Sequence, residues 1–448
     1  MKVVIDRYAW LPKHELTITQ LQSIRDSLLV VPNKVGDQGD EPKPIELWEE
    51  TELHLGVPRE FFEKHRKPHH EADYRYSKGS VVLNEPLKFV GALRDEQSEA
   101  LNVFLSEFAQ PEVTGGILRA SPGWGKTVWT CALTAKLRVP TLVFLHKEFL
   151  MDQWRERIEQ FLPEASVGLV QQDKCDFEGR DIVLAMVHSL AGREYPAALY
   201  EWPGLIVTDE THRIGAYTWS PVPAKFPARW RLGISATPRR KDRADDVFLY
   251  QIGPVRFKAS EQRMKPKIKR VWSTFRLLKT ERFNPSLAPR TLIIKFLVAS
   301  ATRNDRIVDQ VLRAVQVGRK VLVLSERLQH LDRLTALFEK AWAAAEPDKP
   351  VPAVGFYVGG TKKAEREEAA TASVIMATSQ YAQEGLDIPA LDTLVLATPM
   401  SDVEQAVGRI LRPSKGKKDP IVVDIRDDNI PAFRKAAEAR DRLYARIT

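Results

Sequence analysis

The stretch ASPGWGKTVW, residues 120–129, sets two glycines, a lysine and a threonine behind a short apolar run. A loop that binds phosphate needs glycines where the backbone curls so that successive N–H groups face the anion. It also needs a lysine for the outer phosphates and a hydroxyl for Mg2+. Gly123, Gly125, Lys126 and Thr127 supply these parts, and the helical pattern TVWTCALTAKL adds the positive end of a helix. The general form G-x-x-x-x-G-K-[ST] opens on glycine, whereas this chain has Ala120, so a chance glycine-rich turn stays open on these residues alone. Trp124 is bulky for such a loop: it covers a nucleotide or packs on a neighbouring domain, and the residues do not decide which.

Two further groups could serve the same phosphate. GLIVTDETH puts Asp209 and Glu210 at the end of an expected strand, where one carboxylate can hold Mg2+ and its neighbour can polarise an attacking water. A solvated acidic strand end is the bland alternative. Downstream, QAVGRILR carries Gln405, Arg409 and Arg412. Two arginines three apart share a helical face, from which they could stabilise charge on a transferred phosphoryl group. An amphipathic helix whose arginines meet solvent accounts for the same residues.

The elements that must position these groups follow from texture. Short β-branched runs (TLVFL, GLIVTD, LGISAT) alternate with helix-like segments such as FLMDQWRERIEQFL, the pattern of βα units on a parallel sheet. The rhythm breaks at RMKPKIKRVW, residues 263–272, a basic, proline-containing stretch read as a linker. It resumes with KVLVLS, ASVIMAT, TLVLATP and IVVDI. The expected fold class is therefore α/β: two parallel-sheet domains in tandem over 89–264 and 265–448. A smaller, mixed α+β accessory domain over 1–88 precedes them and is a candidate DNA-binding domain. Within it, EKHRKPHHEADYRYSKG at 63–79 interleaves Lys64, Arg66, Lys67, Arg75 and Lys78 with Tyr74 and Tyr76. Such a run tracks a backbone and stacks on bases, or is a solvated loop. Its three histidines lack a nearby cysteine or carboxylates at ligand spacing, so no zinc site is expected.

The totals bound the class. A chain of 448 residues exceeds what one core usually supports. No apolar run approaches the ~20 residues needed to cross a bilayer, and the N-terminus MKVVIDRYAWLPKHEL has no secretory pattern. Cys131 and Cys175 are the only cysteines, which excludes a disulfide framework and fits a reducing cytoplasm. A formal charge of +8 suits a polyanionic partner, though only weakly.

Taken together, the motifs resemble those of the superfamily 2 helicases from about residue 93 to the C-terminus. ASPGWGKT matches that family's A-x-x-G-x-G-K-T, Ala120 included; DETH resembles motif II of the DExH type; and SAT (Ser235, Ala236, Thr237) resembles motif III. ATSQYAQEGLDIP is similar to motif V, and QAVGRILR fits the Q-x-x-G-R-x-x-R of motif VI. The finer likeness is to the XPB and UvsW kind of small DNA translocase, phage branch-migration helicases included. TLVFLHKEFLMDQW resembles motif Ia, DIVLAMVHSL the next DNA-contacting strand, and KVLVLSERLQHLDRL motif IV, while YVGGTKKAEREEA is like the phage members. The departure comes at SATPRRKDRADD, and the first 88 residues match no named pattern.

The resemblance implies two RecA-like domains using ATP and Mg2+. It assigns Arg94 and Gln97 to the adenine; Gly123, Gly125, Lys126 and Thr127 to the phosphates; and Thr127 and Asp209 to the metal. Glu210 would activate water, Gly385 and Asp387 would lie near the nucleotide, and Gln405, Arg409 and Arg412 would close from the second domain. Ser235 and Thr237 would couple hydrolysis to strand movement, and His212 would bond to Gln405 or stay a satisfied structural histidine. Nucleic-acid contacts would fall on His146, Lys147, Gln153, His188, Ser189, Ser325, Arg327, Thr378 and Gln380. The implied activity is ATP-driven movement on single-stranded, duplex or branched DNA, 3′ to 5′, with little sequence specificity, in a bacterial or phage-infected cytoplasm. An RNA helicase, a restriction-type motor subunit and a non-catalytic nucleic-acid-binding subunit are the competing functions.

Overall fold

In the structure, a computed structural model, residues 1–34, 42–80, 87–121, 123–240, 242–260, 264–277, 288–361, 363–379, 388–412, 414 and 416–448 are described. The chain divides into two compact units, Met1–Glu261 and Gln262–Thr448.

The first unit holds two sheets. Near the N-terminus, β1 (Lys2–Ile5), β2 (Ala9–Pro12), β3 (Glu49–Glu50), β4 (His54–Val57) and β5 (Glu71–Tyr74) form a five-stranded sheet in the order β3-β4-β2-β1-β5. Helix α1 (Ile18–Leu28) starts on a capping box: the Thr17 N–H donates to Gln20 Oε1 at 2.8 Å and the Gln20 N–H to Thr17 Oγ1 at 3.2 Å. This sheet does not keep a core to itself. Val3, Ile5, Phe61 and Phe62 pack with Ala244 and Val247 at the start of α7 (Asp245–Ile252), far along the chain.

Eight strands form the larger sheet: β6 (Gly115–Arg119), β7 (Thr141–Leu145), β8 (Val167–Gln171), β9 (Lys174–Asp176), β10 (Ile182–Met186), β11 (Leu205–Asp209), β12 (Trp230–Ser235) and β13 (Val255–Lys258). Their order is β9-β8-β10-β7-β11-β12-β6-β13, and only the β8–β9 pair is antiparallel. TLVFL of β7 and IVLAM of β10 are buried throughout, as strands covered on both faces must be. The helices that bear on the site are α3 (Asp95–Phe108), α4 (Lys126–Leu137), α5 (Glu148–Phe161) and α6 (Val187–Gly192).

In the second unit, β14 (Lys267–Trp272), β15 (Val321–Ser325), β16 (Val354–Tyr357), β17 (Val374–Thr378), β18 (Thr393–Leu396) and β19 (Ile421–Arg426) form an all-parallel sheet in the order β14-β19-β18-β15-β17-β16. Helices α8 (Ala301–Gln316), α9 (Leu328–Ala345), α10 (Glu404–Ile410) and α11 (Pro431–Ile447) belong to it. One expectation needs correction. The stretch 263–272 is not a linker throughout, because Lys267–Trp272 pairs with Ile421–Arg426 as an edge strand. Its lysines and arginine suit an edge, where charge discourages further pairing, and its alternation is masked because only Ile268 and Val271 are half-buried.

Buried polar groups fasten the N-terminal sheet to the larger one. Arg231 of β12 donates to the carbonyls of Arg7 (2.9 Å), Gln251 (2.9 Å) and Phe226 (3.2 Å), and Arg59 of α2 (Arg59–His65) donates to the Ala228 carbonyl at 2.8 Å. Beside Arg59, Glu60 accepts from the Thr114 hydroxyl at 3.0 Å and lies 3.9 Å from Arg256. Arg256 makes its closer contact with Glu107, so burial dominates and pushes the Glu60 carboxyl up to about 7. The folded chain therefore holds this proton to a higher pH than the unfolded chain does. Its contribution to folding is complete below the ordinary value near 4.5 and is lost as pH rises towards 7. Glu60→Gln should gain stability relative to the native chain over that interval, on the order of 3 kcal/mol, in urea unfolding followed at a series of pH values. A difference that stays flat with pH would make Glu60 an ordinary ion-pair partner of Arg256.

Candidate active site

Strand β6 delivers Ala120 to the carboxyl edge of the sheet, where its N–H donates to the Ser235 carbonyl at 3.0 Å. The turn that follows uses left-handed backbone at Gly123 (φ 81°) and Gly125 (φ 92°), a conformation glycine adopts without penalty. A Cβ on Gly125 would also sit 2.7 Å from Gln97 Nε2. Lys126 opens α4, and its ammonium donates to the Ala120 carbonyl at 3.1 Å, across the mouth of the loop. Thr127 is the next residue of that helix. Glycine curl, lysine and helix N-terminus together make a cradle for an anion.

The side chain of Trp124 packs inward. It is buried in the core of its own domain at 5% exposure, and its indole N–H donates to Glu96 Oε2 at 2.6 Å. Its backbone carbonyl accepts from the Arg94 guanidinium and, at 2.7 Å, from Gln97 Nε2. Arg94 and Gln97 are thus brought to the loop.

The central strand β11 carries Asp209 to the same edge. Asp209 Oδ2 accepts the Trp154 indole N–H from α5 at 2.9 Å, and Oδ1 accepts the Glu210 backbone N–H at 2.9 Å. Burial, reinforced by the Glu210 charge, pushes the Asp209 carboxyl above the ordinary aspartate range. Glu210 takes a left-handed backbone (φ 50°), uncommon for a side chain of this type. The neighbouring Thr211 hydroxyl is tied to the carbonyls of Thr208 (3.1 Å) and Ile234 (3.3 Å).

The two short motifs meet through Ser235. Its hydroxyl donates to Glu210 Oε2 at 3.4 Å, lies 3.2 Å from His212 Nδ1, and accepts the Thr237 N–H at 3.2 Å. His212 also lies 3.6 Å from Glu210 Oε2, while burial lowers its imidazole below the usual range. Any change in charge at Glu210 therefore reaches Ser235, Thr237 and His212 through direct contacts.

His146 and Lys147 follow β7, and His188 and Ser189 open α6 behind β10. Because β7 and β10 are paired neighbours, both imidazoles come to Trp219, with ring centroids 6.5 Å and 4.8 Å from it. The Ser189 hydroxyl accepts the Gln172 N–H at 2.9 Å. Gln153 lies on α5.

The second unit places its own set. Ser325 is buried at the end of β15, its hydroxyl 2.9 Å from His330 Nδ1 and accepting the Arg327 N–H at 3.2 Å. Thr378 ends β17; Gln380, Gly385 and Asp387 lie outside the described residues. Gln405 and Arg409 are half-buried on α10, whose other face, including Ala406, Val407 and Ile410, is core; Arg412 follows the helix. The approach to α10 is fixed by Arg440, which pairs with buried Asp424 at 2.8 Å and donates to the Met400 carbonyl at 2.6 Å.

Part of the N-terminal basic and aromatic run bonds within the unit, while its five basic residues are exposed. Arg66 bonds to Glu63 and Tyr74, Arg75 to Asp73, and the Tyr76 hydroxyl donates to the Pro111 carbonyl at 3.4 Å. Among the described residues, no group of three or more His, Cys, Asp or Glu side chains is arranged to hold a metal ion, and no helix is long and apolar enough to cross a membrane.

Comparison with known proteins agrees with this geometry. A family model described as the res subunit of type III restriction enzymes matches residues 91–240. A candidate ATP-dependent RNA helicase of Acanthamoeba polyphaga mimivirus is 28% identical over 459 residues, covering 99% of this chain and 85% of that protein. The ATP-dependent type ISP restriction-modification enzyme LlaBIII, solved bound to DNA, covers 81% of this chain with 30% of its own length. Its TM-score of 0.55 at 16% identity is a likeness of fold. The structure of T4 UvsW aligns over 100% of this chain and 98% of that one, with a TM-score of 0.40 at 15% identity.

Trp154 is the site residue that sequence reasoning missed, since a tryptophan on an amphipathic helix reads as core. Removing its N–H leaves a half-buried carboxylate oxygen short of a donor. Trp154→Phe, which keeps the bulk, should lower ATP turnover roughly tenfold with an unchanged circular dichroism spectrum; full turnover would reduce the indole to packing alone.

Proposed function

We propose that this chain, a superfamily 2 helicase that works by ATP, is a DNA translocase that remodels branched DNA, with 3′ to 5′ polarity. The observation that carries the reading is the hydrogen-bonded set Glu210–Ser235–His212, with Thr237 on the same hydroxyl, because it joins the carboxylate suited to activating water to the motif expected to report hydrolysis. In support of DNA stand the likeness of the motifs to the XPB and UvsW kind and the restriction-enzyme description of the matching family. The mimivirus relative is named an RNA helicase, which makes RNA the second reading.

The residues fit ATP with Mg2+. Gly123, Gly125 and the first N–H groups of α4 would hold the phosphates, Lys126 the outermost of them, and Thr127 and Asp209 the cation. A half-buried carboxylate beside a second one is suited to a compensating cation, in keeping with the raised proton affinity of Asp209. Bound Mg2+ would neutralise developing phosphate charge. Glu210 would orient and deprotonate the water, and Arg94 and Gln97 would recognise the adenine. Gln405, Arg409 and Arg412 of the second unit would complete the set, with Gln405 a partner for His212. Gly385 and Asp387 would lie near the nucleotide. Contacts from His146, Lys147, Gln153, His188, Ser189, Ser325, Arg327, Thr378 and Gln380 to the nucleic acid would act mainly on phosphates, which positions a strand without reading its sequence.

Steady-state ATP turnover with no nucleic acid, single-stranded DNA, duplex DNA, a four-way junction and single-stranded RNA tests the reading, with Glu210→Gln as control. Stimulation by junction or duplex, absent in the control, is expected; stimulation by RNA alone would replace DNA with RNA. Lys126→Ala should cut turnover at least ~100-fold while DNA binding survives, and loss of DNA binding instead would make the loop a nucleic-acid site. Arg412→Ala should keep nucleotide binding and lose turnover about 1,000-fold; normal turnover would leave it a surface arginine.

A further inference from the structure

The carboxylate of Glu96 has no role in the reading above, yet it is bonded on both sides. One oxygen accepts the Trp124 indole N–H at 2.6 Å; the other accepts the backbone N–H of Ser260. Trp124 belongs to the phosphate loop, and Ser260 lies where the first unit hands the chain to the second, at residues 261 and 262. The path to Ser260 is also tied to the loop. Strand β13 runs parallel to β6, with Lys258 opposite Arg119, and the Ala259 N–H donates to the Arg119 carbonyl at 2.9 Å, one residue before Ala120.

The chemistry makes this connection stiff. Glu96 sits in the first turn of α3, where the helix dipole favours an anion. Although burial opposes ionisation, the hydrogen bonds from Ser260 and Trp124 hold its carboxyl below the ordinary glutamate range. Charge-assisted hydrogen bonds tolerate little displacement, and the indole is a rigid, buried plane packed 6.4 Å from Trp129. On the opposite side, the Trp124 carbonyl is held by Arg94 and Gln97, the residues read as meeting the adenine. When phosphate draws the loop's N–H groups toward itself, the peptide at Trp124 must turn. Glu96, fixed on its helix, cannot then keep both partners in place.

We propose that Glu96 is a positioning residue that links occupation of the phosphate loop, through the Trp124 indole, to the Ser260 backbone at the start of the connection between the two units. The proposal rests on the loop being the ATP site. Its consequence is that nucleotide binding alters the freedom of the segment after β13 before any nucleic acid is present.

Hydrogen exchange of the full chain, followed by mass spectrometry with and without a non-hydrolysable ATP analogue, reads this directly. In the native chain the analogue should change exchange in peptides spanning 255–268 by about fivefold or more. In Glu96→Ala that response should fall below roughly twofold, while the analogue still protects peptides of the phosphate loop and its Kd stays within about threefold. Trp124→Phe, which keeps the aromatic bulk and removes only the donor, should lose the same response, and the double variant should lose no more than either single one. Where Glu96→Ala fails to fold, Trp124→Phe decides alone. A retained response in either variant overturns the proposal, as does its loss together with analogue binding, which would make Glu96 part of the loop's integrity. If the native chain binds no analogue, the ATP reading fails and this proposal with it; if it binds and only the variants behave as native, the ATP reading stands and the linkage fails.

Discussion

Two half-buried carboxylates leave the end of one central strand side by side, and the first unit is organised around tolerating that charge. Asp209 and Glu210 cannot both be anionic in a low-dielectric setting without compensation. The structure supplies part of it: an indole N–H and a backbone N–H on Asp209, a serine hydroxyl and a histidine beside Glu210. The ammonium of Lys126 adds attraction from the neighbouring loop. Order in the sheet follows from the same need, since β6 and β11 flank β12, so that loop, carboxylates and Ser235 emerge from three adjacent strands.

The N-terminal sheet takes part in this arrangement instead of hanging from it. Arg59 and Arg231 are fully buried, and an arginine without solvent must find carbonyls or pay a large desolvation penalty. In both cases one such carbonyl lies in a loop beside the other sheet, at Ala228 for Arg59 and at Arg7 for Arg231. Acceptors are thus exchanged across the seam between the two sheets, and the apolar contacts of Val3, Phe61 and Val247 close it. In the run at 63–79, Arg66 and Arg75 are paired with Glu63 and Asp73, while Lys64, Lys67 and Lys78 are exposed.

Much of this was legible in the residues and some was not, for reasons that can be named. Runs such as TLVFL and LIVTD announce buried parallel strands because apolar β-branched residues have few other stable places. The gathering of Gly123, Gly125, Lys126, Asp209 and Glu210 at one edge of the sheet was legible because a phosphate site would impose narrow demands on backbone and charge. Trp124 and Trp154 were opaque: a tryptophan carries one donor, and nothing local says that its partner is Glu96 or Asp209. The strand at 267–272 was hidden by its edge position, where solvent erases the alternation that marks strands elsewhere. In each case the missing information was a long-range pairing, which composition and spacing do not encode.

The second unit shows how precision is obtained where binding chemistry is absent from the strands themselves. Buried ion pairs add little net stability, since desolvation offsets most of the attraction, yet this unit holds several, Arg303 with Asp427 and Arg440 with Asp424 among them. Each arginine spends a further N–H on a backbone carbonyl, Ala397 for Arg303 and Met400 for Arg440. Those carbonyls bracket the chain just before α10, so the pairs determine the direction in which Gln405, Arg409 and Arg412 are presented. A hydrophobic substitute could hold the core equally well but would leave that segment free to choose among rotations.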